Sequence, residues 1–375
     1  MRLFIFFQQL EKGFFMGARS TKVFFTFLFL LVSSVVQAEE WFESYRNARS
    51  LGMGGALIGL TSDETSLYRN PANLGSVRGT FGTAFDPEAE GSANFTDFIT
   101  ASDFSKAGKI ETSAQKLATM PNEYFHSRQQ LTPSFVKRNF GFGVVYREEI
   151  SAFSGAVSTP INVKYQNDFG VALGANHSLF GGILKIGASI KAFNRLEVVS
   201  GTLATSGTFA IPTIGKEGSA FSYTGGLMIQ LPVAALPTLS VVGRDLGNTV
   251  FNKKDGVRGR STGRPAEVKQ SVDVALSLFP IHANKIRSMW TLEYRDITDS
   301  RKDDDAMKRV HFGAELNLRD IFYIRAGLNQ RYFTAGFEIA SENVGWQLAT
   351  YGEEIGTKIS PKEDRRYSTR IMVRF

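Results

Sequence analysis

The sequence predicts an all-β fold, a transmembrane antiparallel β-barrel of about 14 strands. From about residue 140 onward, long segments alternate apolar and polar side chains and are separated by turn residues. Because a strand places successive side chains on opposite faces, each segment has one apolar and one polar face. The segments exceed the ~5–6 residues typical of globular strands and match the ~9–11 residues that a tilted strand needs to cross a bilayer. Closure of such a sheet into a barrel leaves no strand edge unpaired in lipid.

The C-terminal segment shows this alternation most clearly. Its apolar face is formed by Tyr367, Thr369, Ile371, Val373 and Phe375, and its polar face by Arg366, Ser368, Arg370, Met372 and Arg374. A terminal Phe in such a strand resembles the insertion signal of bacterial outer-membrane barrels. We therefore predict that the protein resides among the lipids of the outer membrane, and that the barrel-insertion machinery binds the strand that ends in Phe375.

An even number of strands is predicted, as in single-chain bacterial barrels. The predicted strands are 78–86, 131–137, 140–152, 162–176, 183–196, 219–231, 238–247, 267–279, 285–298, 308–319, 321–329, 332–341, 344–352 and 366–375. Their connections alternate in length, as expected when short turns face the periplasm and long loops face outward. The predicted outer loops are 87–130, 153–161, 197–218, 248–266, 299–307, 330–331 and 353–365.

The N-terminus has the pattern of a secretory signal peptide. Basic residues precede the apolar run Val23–Val36, and the small-residue cleavage pattern Val36-Gln37-Ala38 follows it. We therefore predict that residues 1–38 are removed near Ala38. The segment before the apolar run is long for a basic region, so Met1 and Met16 both remain candidate translation starts.

Residues 39–77 do not alternate like a lipid-facing strand. They contain the runs Arg49–Ala56 (RSLGMGGA) and Asp63–Leu74 (DETSLYRNPANL). These runs resemble the N-terminal signature of the FadL long-chain fatty-acid and hydrocarbon transporters. They are equally similar to the related PorV-type barrels of type IX secretion. The resemblance implies a barrel formed by residues 78–375 and plugged by an N-terminal hatch, residues 39–77.

Five residues are the candidates for shaping this hatch. Gly52, Gly54 and Gly55 are typical of a tight turn packed near other backbone. Pro71 fixes its own φ and favours extended geometry at Asn70, whose side chain can cap neighbouring backbone groups. The glycine cluster lacks the spacing of a nucleotide-binding loop.

The polar faces of the strands carry many charged residues, which are predicted to project into the lumen. They are Arg287, Glu293, Arg295, Arg309, Glu315, Arg319, Arg325, Arg370 and Arg374. Two interpretations remain open: a salt-bridged network that fills and braces the lumen, or an anion-selective path.

The longest predicted outer loop, 87–130, carries apolar side chains among polar ones. The candidates for capturing a ligand are Phe95, Phe98, Ile99, Phe104, Leu117 and Phe125, although such residues also pack against each other. The resemblance implies passive uptake of hydrophobic small molecules such as long-chain fatty acids. The alternative is a protein-interaction barrel, a PorV-like secretion shuttle or surface-complex subunit without small-molecule transport.

The sequence shows no catalytic or metal-binding pattern. There is no Cys, and the histidines His126, His177, His282 and His311 lack the spacing of a metal site. There is no GxSxG motif, and no acid, base and nucleophile are recognised on adjacent strands. We therefore predict no enzyme activity, no metal, no cofactor and no nucleic-acid partner.

Overall fold

The structure is a computed structural model that describes residues 40, 43, 45–56, 58–59, 63–94, 123–153, 161–203, 215–253, 262–300, 302 and 305–375. Residues Glu40–Phe375 form one unit. Its strands are β1 (Thr80–Phe85), β2 (Glu88–Ser92), β3 (Tyr124–Leu131), β4 (Ser134–Lys137), β5 (Phe140–Phe153), β6 (Ile161–Leu179), β7 (Leu184–Leu203), β8 (Lys216–Gln230), β9 (Thr238–Arg244), β10 (Asn252–Lys253), β11 (Ser271–Leu278), β12 (Ile281–Ala283), β13 (Ile286–Tyr294), β14 (Val310–Leu318), β15 (Phe322–Asn329), β16 (Tyr332–Ala340), β17 (Val344–Glu354) and β18 (Glu363–Arg374).

These segments form one closed antiparallel barrel. β1 and β2, β3 and β4, and β9 and β10 are interrupted halves of single strands, and β12 is a short ribbon in the turn before β13. The barrel therefore has fourteen strands, as predicted. It closes where β18 pairs with β1 and β2, and the Phe375 N–H donates to the Gly82 carbonyl at 2.9 Å.

The first two strands are longer than the sequence indicated. The predicted loop 87–130 was wrong at both ends, because β2 and most of β3 belong to the wall. Pro87 and Pro133 interrupt the backbone ladder, since proline lacks an N–H. The positions that alternate with the charged lumen residues of β2 are Ala89 and Gly91, so no apolar face was visible. β6, β7 and β8 also extend further outward than predicted and shorten the loops beside them.

The two faces of the wall differ in the way that a bilayer requires. Large apolar side chains are exposed on the outside, and Trp290, Leu292 and Ile371 have exposed fractions of 47%, 52% and 47%. The inner rows are polar and buried, as in Thr291 and Glu293 of β13. A lipid-facing apolar band around a polar interior is typical of outer-membrane barrels. None of the helices that the structure describes is long and apolar enough to span a membrane.

The described residues between 40 and 77 lie inside the lumen and are called the plug below. The plug contains helix α1 (Ala48–Gly52), helix α2 (Ser66–Arg69) and the 3₁₀-helix Pro71–Ser76. A capping box starts α1: Asn47 accepts from the Ser50 N–H through its side chain, and the Ser50 hydroxyl accepts from the Asn47 N–H. α1 packs on β15–β17, and the 3₁₀-helix packs on β6–β8, so the plug joins two separate sectors of the wall.

Candidate functional site

The first half of the plug is fixed to the wall by main-chain contacts. Gly54 has a φ of 64°, which glycine adopts without steric cost. Its N–H donates to the Thr334 hydroxyl oxygen at 3.0 Å, and that hydroxyl donates to the Gly52 carbonyl at 3.0 Å. The His311 Nδ1 lies 2.7 Å from the Gly54 carbonyl oxygen. Gly52 to Gly55 therefore form a tight turn in direct contact with the wall.

Glycines of the wall make this close approach possible. A Cβ on Gly52 would lie 2.9 Å from the Gly336 Cα, and a Cβ on Gly313 would overlap the Met53 carbonyl. The wall glycines that face the plug in this way are Gly143, Gly174, Gly187, Gly226, Gly313, Gly327 and Gly336. Sequence reasoning missed them, because the sequence does not distinguish a glycine that contacts the plug from any other small residue on the polar face of a strand.

The second half of the plug is organised by Asn70 and Pro71. The Asn70 side-chain oxygen accepts from the Ala72 N–H at 3.0 Å and thereby caps the 3₁₀-helix that Pro71 begins. Its amide group donates to the Ile58 carbonyl at 2.7 Å, which connects the two halves of the plug. A Cβ on Gly226 or on Gly187 would overlap Asn70 or Pro71, respectively. This pair therefore holds the plug against β7 and β8.

An ion-pair cluster fills the middle of the lumen. The Glu43 carboxylate of the plug lies 2.7 Å from Arg295, 3.2 Å from Arg244 and 3.5 Å from Arg69. Arg295 also pairs with Glu293 at 2.8 Å. Burial raises the pKa of Glu43, but the surrounding arginines together hold it well below its usual range. Glu43 is therefore a carboxylate at neutral pH.

Other predicted lumen residues are also buried and paired. Glu315 accepts from Arg49 of the plug at 2.9 Å and from Arg325 at 2.6 Å. Arg370 lies 2.9 Å from Asp86. In the same region, Arg374 and Arg370 each lie 3.4 Å from Glu64 of the plug.

Three predicted lumen residues lie at the ends of strands. Arg319 was wrongly placed on the inner face: it lies in the exposed turn between β14 and β15 with a φ of 60°. Arg309 ends a 3₁₀-helix before β14 and pairs with Asp299 of the outer connection. Arg287 is half-exposed at the short-turn end of β13 and lies 2.5 Å from Asp320. The sequence pattern missed these differences because it does not show where a strand ends.

Contrary to the sequence analysis, an acid, a histidine and a serine do meet on neighbouring strands. The His126 Nε2 lies 2.9 Å from Glu90, and its Nδ1 lies 3.0 Å from the Ser151 hydroxyl oxygen. Glu90 also accepts from Arg128 at 2.5 Å and from the Tyr351 hydroxyl at 2.5 Å. The sequence concealed this group because β2 and β3 were not predicted there.

Further charged side chains surround this group. Carboxylate oxygens of Glu40 and Glu149 lie within 4.8 Å of a His126 ring nitrogen and of each other. The same three side chains could face a metal ion, but Glu40 already pairs with Arg366 at 2.7 Å and Glu149 pairs with Arg147. The arrangement therefore belongs to the ion-pair network of the lumen.

The predicted capture residues lie mainly outside the described part of the chain, namely Phe95, Phe98, Ile99, Phe104 and Leu117. Phe125 is described, and its placement in a loop was wrong, because it lies on β3 and is buried.

A cavity of about 560 Å³ lies between the plug and the short-turn end of the barrel and is called the vestibule below. The loop-length rule predicts that this end faces the periplasm. Arg49, Asp63 and Asn73 of the plug form its roof. Its walls combine charged side chains with apolar ones such as Phe279 and Met289. Cavities of this size accommodate small molecules.

The wall itself is interrupted on two neighbouring strands. β1 and β2 are separated at Asp86-Pro87, and β3 and β4 at Thr132-Pro133. The Asp86 carboxylate bridges the interruptions, accepting from the Thr132 N–H and hydroxyl, each at 2.6 Å. Arg370 donates to the same carboxylate at 2.9 Å. A side-chain bridge therefore replaces the backbone ladder at this point.

The closed wall, the apolar outer band and the plug within the lumen together define a plugged outer-membrane β-barrel. No protein-family model matches the sequence, and no curated protein matches it. Solved structures do. The CymD monoaromatic hydrocarbon channel aligns at 13% identity over 88% of this chain and 96% of its own, with a TM-score of 0.53. The toluene transporter TodX of Pseudomonas putida aligns at 12% identity over 90% and 99%, with a TM-score of 0.54.

A FadL homologue from Pseudomonas aeruginosa aligns at 8% identity over 90% of this chain and 98% of its own, with a TM-score of 0.46. CymD and TodX, whose TM-scores exceed 0.5, share their fold with this chain. The protein therefore has the barrel fold of these two structures, in agreement with the plugged barrel expected from its N-terminal motif.

Proposed function

We propose that this protein is an outer-membrane channel for the passive uptake of apolar small molecules. The vestibule carries the proposal, because it places Phe279 and Met289 beside a small-molecule-sized space directly beneath the plug. The titles of the two structures with the same fold describe a monoaromatic hydrocarbon channel and a toluene transporter, which supports this class of solute. Long-chain fatty acids are a narrower possibility within the same proposal.

The paired charges of the lumen favour bracing over anion conduction. An anion path needs cationic side chains without local counter-charges. Here Arg295, Arg325 and Arg370 each lie within 3.0 Å of a carboxylate. An entering anion would have to compete with those carboxylates, so the network serves to hold the plug and wall together.

Two routes past this network are available to an apolar solute. One requires displacement of the plug from its wall glycines. The other leads sideways through the interruption at Asp86-Pro87 and Thr132-Pro133. There the Asp86 carboxylate bridges to Thr132 and Arg370, while backbone bonds to Pro87 and Pro133 come from the strands on either side. The sideways route leaves the mid-lumen ion pairs intact, and we favour it for that reason.

Uptake by cells tests the proposal. Cells with and without the protein are given labelled toluene and labelled long-chain fatty acid, and the initial rates are compared. Thr132→Val removes the hydroxyl bond to Asp86 and should change the uptake rate, whereas Thr298→Val in an outer connection is the matched control. Phe98→Ala and Phe104→Ala should lower apparent affinity if the outer loop captures the solute.

A protein-interaction barrel is the outcome that would replace this proposal. If removal of the protein leaves uptake of both solutes unchanged, and the barrel co-purifies with a secreted protein or a secretion subunit, then the shuttle function is supported instead. The barrel-insertion machinery is a proposed partner in either case. It must bind the last strand before the barrel closes, because in the closed barrel the Phe375 N–H already donates to the Gly82 carbonyl.

A further inference from the structure

Three exposed cations lie together at the short-turn end of the barrel and are called the basic cluster below. They are Lys137 and Arg138, where β4 turns into β5, and Arg78, two residues before the Thr80 that pairs with Lys137. Within the described chain none of the three cations forms an ion pair with a carboxylate. Lys185 of β7 is near enough to Arg138 for the two positive charges to repel each other. The protein itself therefore leaves the positive charge of the cluster unneutralised.

The basic cluster lies at the edge of the lipid-facing surface. Along β4, Phe135 and Lys137 are exposed and alternate with buried residues. In the register with β5, Phe135 is opposite Phe142 and Lys137 is opposite Phe140. All three phenylalanines are exposed, and the Lys137 Nζ lies 5.9 Å from the centre of the Phe140 ring. The cations therefore stand at the end of an exposed apolar surface.

A second pair of cations at the same end of the barrel has different surroundings. Lys285 and Arg319 lie on neighbouring turns, where the Arg319 N–H donates to the Lys285 carbonyl at 2.7 Å. The exposed carboxylate of Asp320 follows Arg319 directly in the chain. The turn of the basic cluster, residues 138–139, contains no acid. The second pair therefore provides a control that has two similar cations with a carboxylate beside them.

An anionic lipid fits the basic cluster better than a soluble protein does. Lys137 belongs to the same outward row as Phe135, so its partner must reach the lipid-facing side of the wall. Lysine lays its apolar stem along an apolar surface and keeps its ammonium group at the polar boundary. Arginine and lysine both donate to phosphate oxygens, and clustered cations at a bilayer surface attract anionic headgroups. The exposed phenylalanines supply the surface on which an acyl chain lies.

We propose that the basic cluster binds the headgroup of an anionic phospholipid. The phosphate oxygens accept from Lys137 and Arg138, and an acyl chain lies along Phe140 and Phe142. Because the loop-length rule predicts that this end faces the periplasm, the lipid belongs to the inner leaflet of the outer membrane. This inference goes beyond uptake: β4 has four residues, and the lipid would stabilise this short strand beside the interrupted part of the wall.

Lipid binding by the purified full barrel tests the inference. The protein in a neutral detergent is titrated with phosphatidylglycerol and, separately, with phosphatidylcholine of identical acyl chains, and native mass spectrometry measures the dissociation constant of the first bound lipid. Phosphatidylglycerol should bind at least about tenfold more tightly, because only this lipid has a net negative charge.

Neutral variants locate the site. Lys137→Gln combined with Arg138→Gln should weaken phosphatidylglycerol binding about 25-fold, since each basic side chain beside an anionic lipid contributes about fivefold. The matched control, Lys285→Gln combined with Arg319→Gln, removes the same charge from the same end of the barrel and should leave the affinity nearly unchanged. Lys137→Arg combined with Arg138→Lys keeps the charge and should keep the binding. Variants are compared only after they show the same heat-modifiable gel mobility as the parent.

Equal binding of the two lipids, or equal effects of the two neutral double variants, would overturn the inference. Undiminished phosphatidylglycerol binding by the variant without Lys137 and Arg138 would also overturn it, and would favour an acidic periplasmic protein as the partner. Displacement of the lipid by millimolar inorganic phosphate would mean that the cluster takes free phosphate instead. Tighter binding of lipopolysaccharide than of phosphatidylglycerol would contradict the assignment to the inner leaflet.

Discussion

Two glycine-to-alanine substitutions separate the role of plug seating from that of backbone strain. Gly54 and Gly79 both have positive φ values, 64° and 91°. Alanine in such a conformation costs about 1–2 kcal/mol at either position. The surroundings differ: a Cβ on Gly54 would overlap the carbonyls of Leu328 and Phe312, whereas a Cβ on Gly79 meets nothing within 4 Å.

The overlap at Gly54 can be relieved only by moving the plug away from the wall. That movement sacrifices the bond from the Gly54 N–H to Thr334 and the bond between the Gly54 carbonyl and His311. Each such bond contributes about 0.5–1.5 kcal/mol. Gly54→Ala should therefore lower the free energy of unfolding by about 2–5 kcal/mol in total, and Gly79→Ala by only about 1–2 kcal/mol.

Urea unfolding in lipid vesicles measures the two stabilities, and conductance in planar bilayers measures the seal. We expect a larger loss of stability and a raised ion leak for Gly54→Ala alone. Equal stabilities and equal conductances of the two variants would refute the reasoning, because they would mean that contact between the plug and the wall contributes nothing beyond backbone strain.

Three further predictions concern the wall, the lumen charges and the topology. Leu292→Arg, on the lipid face, should destabilise the barrel in vesicles by about 2–4 kcal/mol. Ile359→Arg is the control and should not, because Ile359 lies in an outer connection and is 96% exposed. Equal urea midpoints of the two variants would contradict the assignment of Leu292 to the lipid face. Glu43→Gln should cost about 3–5 kcal/mol at pH 7, because it removes the buried carboxylate that Arg69, Arg244 and Arg295 share. Because the folded pKa of Glu43 is depressed, its contribution is complete above pH ~4.3 and is lost as the pH falls further, so the stabilities of variant and parent should converge in acid. Finally, Ile359→Cys should react with an impermeant thiol reagent on whole cells and Val233→Cys only after permeabilisation; the opposite result would invert the topology.

The alternation of side chains was sufficient to predict the barrel, because lipid imposes a strict apolar requirement on one face of every strand. β13 illustrates this: Trp290 and Leu292 are exposed outside, and Thr291 and Glu293 are buried inside. The same rule failed for β2 and β3. There the positions that alternate with the lumen residues include Ala89, Gly91 and Gln129, which give no apolar signal.

The candidate site was less predictable, because its contacts join residues far apart in the sequence. The motif identified Gly54 and Asn70, but their partners, Thr334 and Gly226, carry no local signal. Local patterns also cannot show which charges pair across a lumen. Arg49 of the plug meets Glu315 only once the barrel has formed around it.

The position of the plug has a consequence for biogenesis. α1 is bound by β15–β17, some 280 residues downstream, as the hydrogen bond from the Thr334 hydroxyl to the Gly52 carbonyl shows. Contacts of such long sequence separation form slowly, because loop closure must precede them. The N-terminal part of the chain must therefore wait, without its final partners, until nearly the whole wall has been made. Since β18 then completes the ring against β1, enclosure of the plug and sealing of the membrane take place at the same late stage of assembly.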